Sequence, residues 1–109
     1  MLRELFLGFI KIHILHHASQ QPIYGLWMME ELARHGYAIS PGTLYPTLHS
    51  LERAGYLTSD RRVVEGRQRR YYTITPAGKA ALAEARARLA ELVAEVLEEQ
   101  SCPLSCGCV

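Results

Sequence analysis

The chain has no uninterrupted apolar run of about 18 residues, the length a membrane-crossing helix needs, and none of the signatures GxxxxGKS/T, GxSxG or HExxH. These absences argue against a membrane partner and against P-loop phosphate binding, hydrolase-type acyl transfer and zinc-protease chemistry. The opening stretch MLRELFLGFIKIHILHHA carries Glu4, Lys11 and three histidines and lacks a small-residue cleavage site, so a signal peptide is not expected and a cytoplasmic location is. No internal repeat or low-complexity linker occurs, and no cysteine precedes position 102. Charge of one sign is scarce as well: the 109 residues sum to +1. That length fits one domain. Such a domain buries only about two-thirds of its unfolded surface, which by itself favours pairing with a second copy.

The charge that is present is unevenly placed. Residues 53–79 hold Arg53, Arg61, Arg62, Arg67, Arg69, Arg70 and Lys79 against Asp60 and Glu65, a local +5, while residues 1–52 and 80–109 are both slightly acidic. A basic block inside a near-neutral chain is an anion-binding footprint with nucleic acid as first candidate, or a solvated hairpin.

Residues 2–18 read as a helix that is apolar on most sides, with Glu4, Gly8 and Lys11 as its polar stripe and His13, His16 and His17 roughly opposite. Pro22 separates it from a second helix over 23–35, ended by Gly36. Ser40-Pro41 is a start signal for a third helix running to Gly55, with Leu44, Leu48 and Leu51 on one face and Pro46, His49 and Arg53 on the other. Residues 56–63 and 69–75 read as two strands joined at Glu65-Gly66-Arg67. Thr75-Pro76 opens a last helix over 76–99, where Leu82, Ala85, Leu89, Leu92 and Val96 follow a three-four spacing, a short coiled-coil seam.

The expected fold is therefore mainly α with a small β-hairpin. Residues 1–75 form a winged helix-turn-helix DNA-binding domain, 76–99 a dimerisation helix and 100–109 a cysteine-containing tail. The third helix turns leucines inward and a polar, partly cationic face outward, as a major-groove helix must. The arginine-rich hairpin beside it can reach phosphates or a minor groove.

The stretches IYGLWMMEEL, SPGTLYPTLHSLERAGYL and EGRQRRYYTITPAGKAAL resemble the PadR family of bacterial transcriptional regulators, specifically its smaller group with one terminal helix. The resemblance covers nearly the whole chain up to that helix. It implies a homodimeric repressor that binds an inverted repeat in double-stranded DNA, with the first and last helices at the dimer interface. It also implies release by an inducer, often phenolic or drug-like. By position it carries over Tyr24, Thr43, Tyr45, Pro46 and His49, with Arg67, Arg69 and Arg70 in the wing, as DNA-facing residues. By their chemistry, Arg67 and Arg69 neutralise phosphates, and Tyr24, Thr43 and Tyr45 donate hydroxyl hydrogen bonds to phosphate oxygens. Arg53 is equipped to read guanine bidentately or to meet a phosphate. Leu82, Leu89, Leu92 and Val96 are the expected dimer contacts. Trp27 is either a core residue or part of an aromatic ligand pocket.

The tail SCPLSCGCV departs from the family pattern. Cys102, Cys106 and Cys108 are suited to a thiophilic ion such as zinc, cuprous copper or cadmium, or alternatively to reversible oxidation or no specific task. His13, His16 and His17 lie on the side of the first helix that the tail could reach, which suggests a shared His/Cys metal site; as ordinary imidazoles at a helix end they need no ion. The composite expectation is a ligand-responsive regulator with a metal or small-molecule effector. The rival is a small metal- or thiol-handling protein without DNA binding. An enzyme is not expected, because the cysteines lack an ordered electropositive pocket.

Overall fold

The computed structural model describes residues 2–98; Cys102, Cys106 and Cys108 lie outside them. In chain order the elements are α1 (Leu2–Gln20), β1 (Ile23–Tyr24), α2 (Gly25–Arg34), α3 (Pro41–Arg53), β2 (Leu57–Val64), β3 (Arg67–Ile74) and α4 (Pro76–Val96). The three strands form one antiparallel sheet in the order β1-β3-β2.

The core is built from helix faces closing over one end of this sheet. Ile14 of α1, Met28 and Leu32 of α2, and Leu44 and Leu48 of α3 are fully buried with Ile23 and Tyr72. Tyr72 and Ile74 alternate onto the inner face of β3, as a period of two requires. The Tyr72 hydroxyl is buried with no hydrogen-bond partner among the described residues.

One element differs from the sequence expectation. Residues 23 and 24 do not begin the second helix; they pair as an edge strand, Ile23 with Tyr72 and Tyr24 with Tyr71. Ile23 gains near-complete burial there, and Tyr24 keeps extended backbone (φ −124°, ψ 161°) as the residue preceding α2. A β-branched residue and an aromatic, placed just after a proline, suit a strand edge better than a first helical turn.

Local chemistry sets the remaining boundaries. Gly36, at φ 90°, takes the left-handed turn that ends α2. Ser40 opens α3 through its backbone, its carbonyl accepting from the Thr43 and Leu44 amides at 3.0 Å each, while its side chain makes no cap hydrogen bond. Thr75 does cap α4 with its hydroxyl, accepting from the Gly78 amide at 3.0 Å. The hairpin closes in two residues, Glu65 (φ 52°) and Gly66 (φ 78°), between the paired Val64 and Arg67. Two successive positive φ angles are the type I′ pattern that matches strand twist.

Beyond the core, two regions stand clear of the protomer. Residues 61–68 of the hairpin are exposed on every side and form a wing. The outer half of α4 and the start of α1 are apolar yet exposed: Leu2, Leu5 and Phe6 on α1, and Leu92, Val93, Val96 and Leu97 at the end of α4. The greasy first helix is thus buried only over its second half.

Candidate nucleic-acid interface

Helix α3 is fixed from beneath by Leu44, Leu48 and Leu51, all buried, so its other face is presented outward. Tyr45, Pro46, His49 and Arg53 are exposed there and Thr43 is half-buried. The Thr47 hydroxyl donates to the Thr43 carbonyl at 2.8 Å. The Tyr45 phenol lies directly over Gly25, where any Cβ would overlap its ring and hydroxyl. The first residue of α2 is glycine because the third helix is seated on it.

From Tyr45 the surface continues without a break into the wing. Tyr24, next to Gly25, meets Tyr71 of β3 edge-on with centroids 5.3 Å apart. The Arg69 guanidinium stacks over Tyr24 at 4.2 Å and that of Arg62 over Tyr71 at 5.1 Å. The cation–π contact holds Arg69 in place without neutralising it, while Arg62 also donates from Nε to Asp60 Oδ2 at 3.0 Å. Arg67 stands exposed at the hairpin turn. Arg70 points to the opposite face of β3, where it donates to Ser59 Oγ at 2.9 Å, and Ser59 donates in turn to Glu52 Oε2 at 2.7 Å. It ties the wing to the last turn of α3. Arg61, Gln68, Arg69 and Arg70 line a hollow of about 160 Å³.

Sequence reasoning did not single out three features of this surface. Arg62 belongs to the stacked array. Arg3 and Lys11 of α1 flank a cleft of about 260 Å³ against Thr43, Pro46 and Ser50 of α3, adding cationic groups to the other flank of that helix. Lys11 was visible as part of the polar stripe of α1, but only the packing of α1 beside α3 brings it there.

The histidines are arranged differently from the expected grouping. His13 and His17 share a face of α1, and the third imidazole beside them is His35, the residue that ends α2, with its ring 4.9 Å from that of His13. His16 turns to α4, its Nδ1 lying 3.4 Å from Arg86 Nη2. Glu31 sits among them: its Oε2 lies 3.1 Å from His35 Nε2 and 3.5 Å from His17 Nε2, and its Oε1 accepts from Arg34 at 2.8 Å. Burial first, then the neighbouring His35 and His16, hold His13 below the ordinary imidazole value despite Glu31. Burial likewise lowers His17, against the pull of Glu31. For Glu31, burial opposes ionisation, but the hydrogen bond with His35 and the charges of Arg34 and the histidines outweigh it and leave its pKa below the usual value. Trp27 is half-buried with its ring edge-on to His17 at 5.4 Å.

Of the expected dimer contacts, Leu82 is buried in the protomer's own core. Leu89 is half-buried in a pocket with Phe9, Ile12, His13 and Tyr37, and Leu92 and Val96 are exposed.

Three helices, a paired hairpin, and an outward-facing third helix joined to a cationic wing define a winged helix-turn-helix DNA-binding regulator. The profile of the Transcriptional regulator PadR-like family matches residues 14–84. The chain is also 56% identical over 100 residues to Transcriptional regulator Rv3488 of Mycobacterium tuberculosis, spanning 92% of this chain and 94% of the relative. Among solved structures, a PadR family transcriptional regulator from Eggerthella lenta aligns with TM-score 0.75 at 33% identity, covering 88% of this chain and 85% of that one. A Streptococcus transcriptional regulator aligns with TM-score 0.78 at 25% identity, covering 84% and 92%. The chain belongs to the PadR-like family of transcriptional regulators and is not an enzyme. Among the described residues no helix is long and apolar enough to cross a membrane.

Proposed function

We propose that this regulator acts in the cytoplasm as a homodimeric repressor that reads an inverted-repeat operator and is released by a small effector. The observation that carries the DNA-reading part is the continuous surface running from Tyr45 through Tyr24 to Arg69, Tyr71 and Arg62. One protomer thereby offers a groove-sized helix and fixed cations on the same side. Arg67 and Arg69 take phosphates; Tyr24, Thr43 and Tyr45 set register through their hydroxyls; His49 and Arg53 face base edges. The apolar residues left exposed on α1 and α4 support the dimer, and two reading heads on a two-fold axis require a palindromic site.

The test is fluorescence anisotropy of DNA from upstream of the protein's own gene. Arg69→Ala should weaken binding across all sequences and lower the salt slope by about 1. Affinity that ignores salt would reject the reading.

For the effector, a specific observation favours an organic ligand alongside a soft metal. The pocket lined by Phe9, Ile12, His13, Tyr37 and Leu89 holds about 370 Å³, within the range of small-molecule sites. It is walled by α1 and α4, the two helices assigned to the dimer, so an occupant there would act on the spacing of the reading heads. A thiophilic ion held by the tail cysteines is the alternative effector.

A further inference from the structure

The geometry points to a divalent transition-metal site, of the kind that takes zinc, formed by His13, His17 and His35 with the Glu31 carboxylate beside it. The three imidazoles each offer a ring nitrogen, and these atoms lie within 4.8 Å of one another. Zinc–nitrogen bonds of about 2.0–2.1 Å in a tetrahedral set place two donors about 3.4 Å apart, so side-chain rotations that bring the ring nitrogens about an ångström closer complete the set. His13 and His17 are four residues apart on one helix, the spacing by which a helix presents two ligands to one ion. His35 comes from the end of α2, held by the turn at Gly36.

Glu31 makes the arrangement more than a stack of rings. Its Oε2 touches both His17 and His35, while Arg34 occupies only Oε1. Three imidazoles are a nitrogen donor set suited to a borderline ion with a fourth position open, and a poor one for calcium or magnesium; the Glu31 carboxylate beside them adds negative charge that favours a cation. A bound ion would staple α1 to the end of α2, one of the two helices of the DNA-reading unit. The site needs none of the tail cysteines, and its existence is independent of whether the proposed operator is correct.

The experiment titrates Zn²⁺, and Co²⁺ as a spectroscopic probe, into the full-length chain and two variants, and needs no DNA. In the triple variant Cys102→Ser, Cys106→Ser, Cys108→Ser, zinc affinity should be retained. Its cobalt complex should show visible ligand-field bands without sulfur-to-metal charge transfer. Adding His35→Ala, at an exposed position that leaves the core untouched, should weaken zinc at least about tenfold, the loss that even outer-shell partners produce. It should also abolish the zinc-induced rise in melting temperature, each protein being compared with its own metal-free curve because the variant also loses the His35–Glu31 hydrogen bond. Zinc binding that disappears with the cysteines, or that survives His35→Ala undiminished, would overturn the site.

Discussion

Tyr72 shows how a single atom can work against the fold that contains it. Its ring is fully buried, and burial raises its pKa, because the hydroxyl has no described partner to replace water. An unsatisfied buried polar group costs about 1–3 kcal/mol. Tyr72→Phe should therefore raise stability by about 1 kcal/mol, read from urea unfolding; a loss of stability would mean the hydroxyl is satisfied in solution. The histidines set a pH response at the same scale. In metal-free protein, His13 and His17 titrate below the ordinary 6.5, so between that lowered value and 6.5 the unfolded chain binds more protons than the folded one. Stability is complete above pH 6.5 and falls as pH drops below it. Glu31, lowered from 4.5, acts in the same direction further down: its stabilisation is present above 4.5 and is lost as pH falls through its folded value. Melting in the presence of a chelator should come earlier at pH 5.5 than at pH 7.5, and an unchanged midpoint would contradict this account.

At the scale of elements, the start of α4 is set by contact as much as by capping. Gly78 is buried with its Cα against the Tyr56 carbonyl, and an added Cβ would overlap that backbone oxygen. Thr75 reinforces the joint by accepting from Gly78 while donating to the Gly55 carbonyl. Gly78→Ala raises helix propensity yet should destabilise the chain by about 1–3 kcal/mol, as overpacking does, again measured by denaturant unfolding. A propensity argument alone predicts the opposite sign, so the measurement separates the two. The same distinction explains which elements were legible beforehand. Helix α3 and the hairpin announce themselves through Ser40-Pro41, the leucine spacing and Glu65-Gly66, all short-range signals. β1 did not, because two residues carry no periodicity and their strand character comes only from Tyr71 and Tyr72 lying alongside.

The whole molecule is elongated, 63 × 29 × 25 Å, for a chain whose core would fit a smaller sphere. A 21-residue α4 of about 31 Å leaves the core after Leu89 and carries Leu92, Val93, Val96 and Leu97 into solvent. If a second protomer covers them, replacing Leu92 and Val96 by Asp should leave each protomer folded, since neither contributes to its core. It should convert the dimer to monomer in light scattering and remove tight operator binding. A double variant that stays dimeric would assign the interface elsewhere. Leu82, which shares the seam spacing, is unsuitable for this test because it is buried within its own chain.

The order of the helices and the hairpin, the inward leucines of α3, the turn of the wing and the basic block were all determined by the sequence, because each depends on neighbours a few residues away. The family resemblance rested on the same local stretches. Tertiary structure decided which cations share a surface, seating Arg69 and Arg62 on Tyr24 and Tyr71, drawing Arg70 back to Ser59 and placing Lys11 beside α3. It also turned His16 toward Arg86 of α4 and set His35 beside His13 and His17, although 17 residues of chain lie between His17 and His35. Helical spacing tells which residues share a face of one helix; only the packing of α1 against the end of α2 tells what that face meets.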